Sequence, residues 1–374
     1  MNILMTLANP FTHDPRVYNE ARSLVKAGYK VTVLAWDRKK ENPLNENVDG
    51  INIVRSYNTK FMDLLPYDIF RLHFWWNKGY KDALRLYNEE PFDVLHCHDL
   101  SSLPIGVKLK KKLGLPLIYD SHEIWGYMVA KDLPWWRYYL WKEKKLLNFI
   151  DHMIVTNPAR REFYKDKGVE NITVIDNYKH LISRKYTPPD NKIFTLLYIG
   201  LLSPVRFLLE LVNVVKNLDG VRCIIGGVGK PDYVEKLKQK CNETDNVKFI
   251  GKVPTDEVIP MTKNSDAVFC MIAPWDKNDI TASTNKQFEA MVCGRPIICT
   301  KDTYSGELTK KENIGLAIPY TKNDLKQAII KLRDNPKLRE ELGRNALNAA
   351  IRKYNWEKQE EKLLKVYEDI SKAL

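Results

Sequence analysis

The sequence predicts an α/β chain made of two doubly wound domains with parallel sheets. Short apolar runs bounded by turns alternate with longer segments of helical period along almost the whole chain. That is the pattern of strands buried on both faces and separated by helices. The alternation pauses at 187–192 (TPPDNK), where two prolines sit among polar residues, and then restarts, so this stretch reads as a linker. A length of 374 residues suits two domains of similar size, at about 100–200 residues each.

In the first half, strands are expected at 2–8, 30–36, 51–55, 93–97, 116–120, 152–156 and 172–176. Helical patterns lie between them at 15–28, 68–88, 100–113, 136–149 and 158–167. In the second half, strands are expected at 194–199, 221–226, 247–250, 267–272, 296–300 and 316–319, with helices at 207–217, 231–242, 255–264, 284–293 and 322–333. Two more helical segments, 335–353 and 356–373, follow without a strand between them. The expected division is 1–187, 188–355 and a helix over 356–374. No repeat of solenoid period is present.

Charged residues make up 28% and hydrophobic ones 44%, which excludes a disordered or fibrous chain. No apolar run reaches the roughly 18 residues of a membrane-spanning helix, and the opening MNILMTLANPFTHDPR lacks the features of a signal peptide. A cytoplasmic protein is expected. Lys plus Arg exceeds Asp plus Glu by 12, six on each side of residue 190, which favours anionic partners. No basic arm or nucleic-acid motif accompanies the charge, so nucleic acid is the weaker reading. The six cysteines form no CxxC pair and read as free thiols of a reducing compartment, mostly buried.

Two open α/β domains facing each other would leave a cleft, and ligands of such sheets bind beyond the C-terminal ends of the strands. Residues just after strands are therefore the candidates. The stretch 198–215 reads as a strand, Gly200, a short loop and a helix with Arg206 at its start, where free N–H groups favour an anion. Ile225-Gly226-Gly227-Val228-Gly229-Lys230 repeats the strand–glycine theme, letting a ligand approach the backbone. In TASTNKQFEAMVCGRPIICT (281–300), Lys286 and Glu289 share a helix face at i, i+3. Gly294 ends that helix and Pro296 opens a strand. A carboxylate there can accept bonds from two ribose hydroxyls; the alternative is a surface ion pair.

The order of these segments resembles a retaining glycosyltransferase of family 4, with the GT-B fold of two Rossmann-like domains. The motifs that carry the resemblance are Asp14, Arg16, Val17 and Gly28 before KVTVLAW, then HCHD (96–99) and YDSHE (119–123). GLLSPVR, IIGGVG, FEAMVCGRPII, SGEL (305–308) and YNWE (354–357) follow in order. The resemblance implies that Glu289 holds the donor ribose, that Arg206 binds the donor diphosphate with Gly200, Gly226, Gly227 and Lys286, and that His98, with Asp99, faces the transferred sugar. It implies an acceptor side at Asp14, Arg16, His122 and Glu123, although Glu123 could instead cap the segment after it. It also implies a last helix that crosses back to the first domain. His96 is expected on the opposite side of its strand, in the core.

Two positions depart from the family pattern. Thr281 stands eight before Glu289, where a second glutamate is usual, with Asp276 and Asp279 as nearby carboxylates. Leu201 stands where an arginine often follows the strand-end glycine. No Asp-x-Asp pair occurs, so a metal-independent reaction without cofactor is expected. The implied partners are a nucleotide-sugar and a glycan or lipid-linked acceptor. Two segments rich in aromatic and basic residues, 70–81 and 134–150, suggest peripheral contact with an anionic membrane, the second above all. Their alternative is core packing. The competing functions are a catalytically silent glycosyltransferase-like subunit and a nucleotide-sugar epimerase.

Overall fold

The computed structural model of the chain describes residues 1–12, 14–128 and 135–373. They form two compact units, Met1–Asp176 with Gln359–Leu374, and Asn177–Lys358.

The first unit contains β1 (Asn2–Leu7), α1 (Pro15–Lys26), β2 (Lys30–Asp37), β3 (Asn45–Val48), β4 (Ile51–Tyr57), α2 (Lys60–Asp63) and α3 (Asp68–Glu89). It continues through β5 (Val94–His98), α4 (Leu103–Leu113), β6 (Leu117–Ser121), α5 (Trp125–Met128), α6 (Trp135–Leu146), β7 (His152–Val155), α7 (Pro158–Lys165) and β8 (Ile172–Val174). The described strands make one sheet in the order β3-β4-β2-β1-β5-β6-β7-β8, parallel except at β3–β4. The order reverses where β1 pairs with β5. Local chemistry sets the boundaries: the Asp14 carboxylate accepts from the Val17 N–H, and Pro15 opens α1. Aromatic packing fixes one face of the sheet, with Trp36 and Trp75 stacked at 5.1 Å.

The antiparallel edge strand β3 is absent from the expected elements, because Asn45, Glu46 and Asn47 are all exposed and show no apolar alternation. The aromatic segments divide their residues. Leu72, Trp75, Trp76 and Tyr139 are buried, while Phe70, Phe74, Trp135 and Trp141 are exposed. Pro134, the first residue of the expected 134–150 segment, lies outside the described residues.

The second unit contains β9 (Phe194–Leu202), α8 (Leu208–Val215), β10 (Val221–Gly229), α9 (Pro231–Asn242), β11 (Val247–Gly251), α10 (Thr255–Lys263) and β12 (Ala267–Phe269). Then come α11 (Lys277–Ile280), α12 (Asn285–Cys293), β13 (Ile297–Thr300), α13 (Tyr304–Glu312), β14 (Gly315–Ile318), α14 (Lys322–Asp334), α15 (Pro336–Arg352) and α16 (Trp356–Ala373). Residues of α16 from Gln359 onward belong to the first unit. The sheet order is β11-β10-β9-β12-β13-β14, all parallel. It reverses between β9 and β12.

Strands β9 and β10 run three residues past their expected ends, through the glycines themselves. Gly200 pairs with Gly227, and Leu202 with Gly229. The missing side chains are what allow it: a Cβ on Gly227, at φ 139°, would lie 1.7 Å from the Gly200 carbonyl oxygen. The stretch 225–229 is therefore strand, not a turn. Arg206 is also placed differently from expectation. It closes a 3-10 turn, Pro204–Arg206, and Phe207 at φ 57° separates it from α8.

All six cysteines are free and buried. Among the described residues, no helix is long and apolar enough to cross a membrane.

Candidate functional site

In the first sheet the switch point places the end of β5 beside the end of β1, where a ligand is expected. His98 ends β5, and its imidazole is fully buried. It heads a cluster of buried charged groups. Asp120, on β6, lies 3.3 Å from His98 Nδ1 and 2.8 Å from His122 Nε2. The Arg16 guanidinium grips Asp120 through Nε at 3.1 Å and Nη2 at 2.7 Å, and its Nη1 donates to the Ile175 carbonyl at 2.8 Å. Glu20, one turn on in α1, lies 3.2 Å from Arg16 Nε.

Burial opposes charge on each of these groups, and their neighbours decide which keep it. Burial would raise Asp120, but Arg16 and then His122 hold it well below the usual carboxylate range. Burial would lower His122, but Asp120 and Asp99 raise it to about 9. Glu20 goes the other way: burial and the Asp120 charge push it up to about 8. Burial lowers His98, and it lowers His96 well below the usual histidine range. At neutral pH the cluster thus holds Arg16 and His122 as cations, Asp120 as the anion, and Glu20, His96 and His98 neutral.

His96 lies on the same face of β5 as His98, with ring centroids 4.3 Å apart, contrary to the expectation of opposite faces. Strand side chains alternate, so residues two apart share a face. Cys97 takes the other, where it accepts from Thr6 Oγ1 at 3.1 Å. The rest of the expectation holds in that His96 is fully buried. Its Nδ1 lies 2.7 Å from the Tyr367 hydroxyl of α16.

The remaining first-unit residues serve mainly to fix the backbone. Asp99, at φ 59°, accepts from the His122 and Glu123 N–H groups at 2.9 and 3.3 Å. It ties the end of β5 to the loop after β6; burial raises it to about 6. Asp14 caps α1 and accepts from Asn9 Nδ2 at 2.9 Å. Glu123 pairs with Arg160 of α7 at 2.7 Å.

Glu20, His96, His98 and Asp120 bring one ligand-type atom each within 4.8 Å of one another. Arg16 already supplies a cation there. Two polar atoms of the histidines, His96 Nε2 and His98 Nε2, have no hydrogen-bond partner among the described residues.

In the second sheet the switch point brings the ends of β9 and β12 together. Three polar groups there are buried without partners among the described residues: Ser203 Oγ, Arg206 Nε and Arg206 Nη1. Lys286, near the start of α12, is buried with its Nζ 4.7 Å above the Tyr198 ring. Its ammonium lies beside Gly200, where a Cβ would come within 2.9 Å of Nζ. Burial, and next the Arg206 charge, lower Lys286 to about 8. Two close cations, with Arg206 Nε and Nη1 unfilled among the described residues, form a cradle suited to an anion.

Glu289 does not pair with Lys286. Its carboxylate lies 3.5 Å from Lys179 Nζ, which also donates to Asn285 Oδ1 at 2.9 Å. The departures are structurally accommodated. Thr281 is buried and donates to the Lys277 carbonyl at 2.7 Å, Asp276 caps α11, and Asp279 is buried on that helix. Leu201 is half exposed on β9 and paired with Val228. Sequence reasoning passed over Glu20 and Ser203. Glu20 has a signal, its i, i+4 spacing from Arg16; Ser203 has none.

Comparison with known proteins agrees with this layout. The sequence model of Glycosyltransferase Family 4 matches residues 16–178, and that of Glycosyl transferases group 1 matches 180–349. An uncharacterized glycosyltransferase of Methanocaldococcus jannaschii is 24% identical over 316 residues, covering 78% of this chain and 80% of the relative. Among solved structures, sucrose-phosphate synthase from Thermosynechococcus elongatus superposes with a TM-score of 0.83 at 18% identity, covering all of both chains. Anabaena HepE in complex with UDP-glucose gives a TM-score of 0.77 at 17% identity, covering 99% of this chain and 100% of that one. Two doubly wound parallel sheets, a ligand-type cluster at each switch point and family matches over both halves make this chain a family-4 glycosyltransferase of the GT-B fold.

Proposed function

We propose that the chain moves a sugar from a nucleotide-sugar donor to a hydroxyl of a glycan or lipid-linked acceptor, with retention at the anomeric carbon. The observation that carries this reading is the cradle of Ser203, Arg206 and Lys286: Ser203 Oγ, Arg206 Nε and Arg206 Nη1 are buried without a hydrogen-bond partner among the described residues, beside the buried Lys286. A diphosphate supplies that partner. The HepE neighbour is a complex with UDP-glucose, which supports a nucleotide-sugar here.

In this reading the acceptor oxygen bonds to the anomeric carbon as the bond to the diphosphate breaks. The hydroxyl proton passes to the departing phosphate oxygen, so no strong base is needed. Arg206 and Lys286 stabilise the charge growing on the leaving group, and no metal is required. Such fixed charges act most strongly where water is excluded. Glu289 serves the ribose once Lys179 yields part of its carboxylate. His98, held neutral, orients the sugar through its partnerless Nε2 and abstracts no proton; Asp120, His122 and Asp99 fix its position.

One observation favours a silent binding subunit instead: the Thr281 hydroxyl is spent on Lys277, and no carboxylate stands at that position. The experiment that separates the two is mass spectrometry of incubations with UDP-, GDP- and ADP-sugars, with and without membrane lipid extract. Release of nucleoside diphosphate with a lipid or glycan gaining a sugar mass supports transfer. Donor isomerisation would support an epimerase, and donor binding without consumption the silent subunit.

A further inference from the structure

We propose that the first unit docks on an anionic phospholipid bilayer through an aromatic ridge on α2, α3 and α6 and the lysine basin beside it. Among the described residues, eight of the fourteen exposed large apolar side chains fall on α2, α3, α5, α6 and the turn joining α2 to α3. Phe61, Tyr67, Trp135 and Trp141 are 48–65% exposed. On α3, Phe70, His73, Phe74 and Asn77 follow the spacing of one helix face. Phe61 meets Phe74 edge-on at 5.0 Å, and Tyr67 meets Phe70 at 5.9 Å. The His73 ring lies 6.1 Å from Tyr138 of α6, which in turn contacts Trp135 and Trp141. The ridge is therefore continuous across the helices, and contiguous apolar surface of this kind marks an interaction site.

The unpaired charge around the ridge is positive. Glu143, the acid of α6, is turned into the core, where the Tyr119 and Tyr164 hydroxyls donate to it at 2.6 and 2.9 Å. What α6 shows to solvent is Arg137, Lys144 and Lys145. Asn77 leads into a shallow cavity of about 570 Å³ lined by Lys81, Lys108, Lys111 and Lys112. Lys142 of α6 lies close enough to Lys108 that its charge, after burial, helps lower the Lys108 pKa. The acids at the ridge edge are already paired, Asp63 with Lys40 and Asp68 with Arg71. None of the four basin lysines has an ion-pair partner among the described residues.

Protruding aromatic rings beside uncompensated lysines match the two layers of a membrane surface. Tryptophan and tyrosine favour the interface, and basic amphipathic surfaces lie in it. A plane of lipid phosphates neutralises charge spread over three helices better than one acidic segment would. The contact thus extends beyond 134–150 to the α2–α3 ridge and the basin, and it does not depend on which sugar is transferred.

The test is flotation of the full chain with vesicles of phosphatidylcholine alone or mixed with phosphatidylglycerol. Wild type should float with the mixed vesicles at low salt and not with phosphatidylcholine. Lys111→Gln with Lys112→Gln should weaken binding about twenty-fivefold, at about fivefold per lysine near an anionic surface. Phe70→Ser with Phe74→Ser should remove the salt-resistant part of the binding. All four positions are exposed or solvent-facing and outside the donor cradle, so donor turnover without vesicles should persist; its loss with flotation intact would count against the transfer reading alone. Failure of wild type to float, equal floating of both variants, or a dimer in solution that covers the rings would overturn the proposal.

Discussion

Arg16→Met removes the cation from a pocket that retains its anion. Asp120 loses bonds of 3.1 and 2.7 Å, and the Ile175 carbonyl loses a donor at 2.8 Å, while methionine occupies much of the same volume. Removing one partner of a buried ion pair costs about 3–5 kcal/mol. For a unit of this size each kcal/mol moves the melting temperature by about 2–4 °C, so the first unit should melt roughly 6–20 °C lower. The assay is thermal unfolding followed by tryptophan fluorescence, to which the buried Trp36–Trp75 stack contributes. Adding Asp120→Asn to Arg16→Met should recover part of the loss, because the stranded charge is gone. A shift of less than about 2 °C, or no recovery in the double variant, would refute the claim that this pair organises the cluster.

His122 titrates at about 9 in the folded chain, raised from 6.5. Its contribution is whole below about pH 6.5 and lost as pH rises through 9. Glu20 acts in the same direction between its ordinary 4.5 and about 8. His122→Gln should therefore flatten the fall in stability between pH 8 and 9, as read from urea midpoints. Arg206→Ala should weaken UDP, GDP or ADP binding about tenfold or more, one charge-assisted bond being worth about 1.5–3 kcal/mol. Titration calorimetry reads this, and should also show proton uptake on binding near pH 8, where Lys286 is only partly protonated. Gly227→Ala puts a methyl 1.7 Å from the Gly200 oxygen at φ 139°, and should destabilise the second unit by about 3 kcal/mol or more, seen as a lowered melting temperature.

Both sheets were legible because their strands are apolar and their helices amphipathic. What escaped did so for local reasons. Strand β3 carries no buried stripe, and α13 buries Ser305, Gly306 and Thr309 in place of an apolar face. Glycines usually punctuate, so the sequence pattern ends β9 and β10 at their glycines; only the mutual approach of those glycines shows that the strands continue. At the site, Arg206 stands out by following a strand, Lys286 by sharing a helix face with Glu289, and His98 through the family resemblance. Glu20 carries only its i, i+4 spacing from Arg16 as a signal, and that its charge is buried is recognisable only once its surroundings in the fold are known.

The return of residues 359–374 to the first unit has a temporal side. A ribosome emits the first 176 residues, then 182 residues of the second unit, before Tyr367 exists to meet His96. At about 5–20 residues per second, the nascent first sheet waits on the order of ten to forty seconds with His96 short of its partner. Translation order thus makes the last helix a completion mark: a prematurely released product keeps most of both sheets but leaves the floor of the His98 cluster open to solvent, and to the cell's quality control.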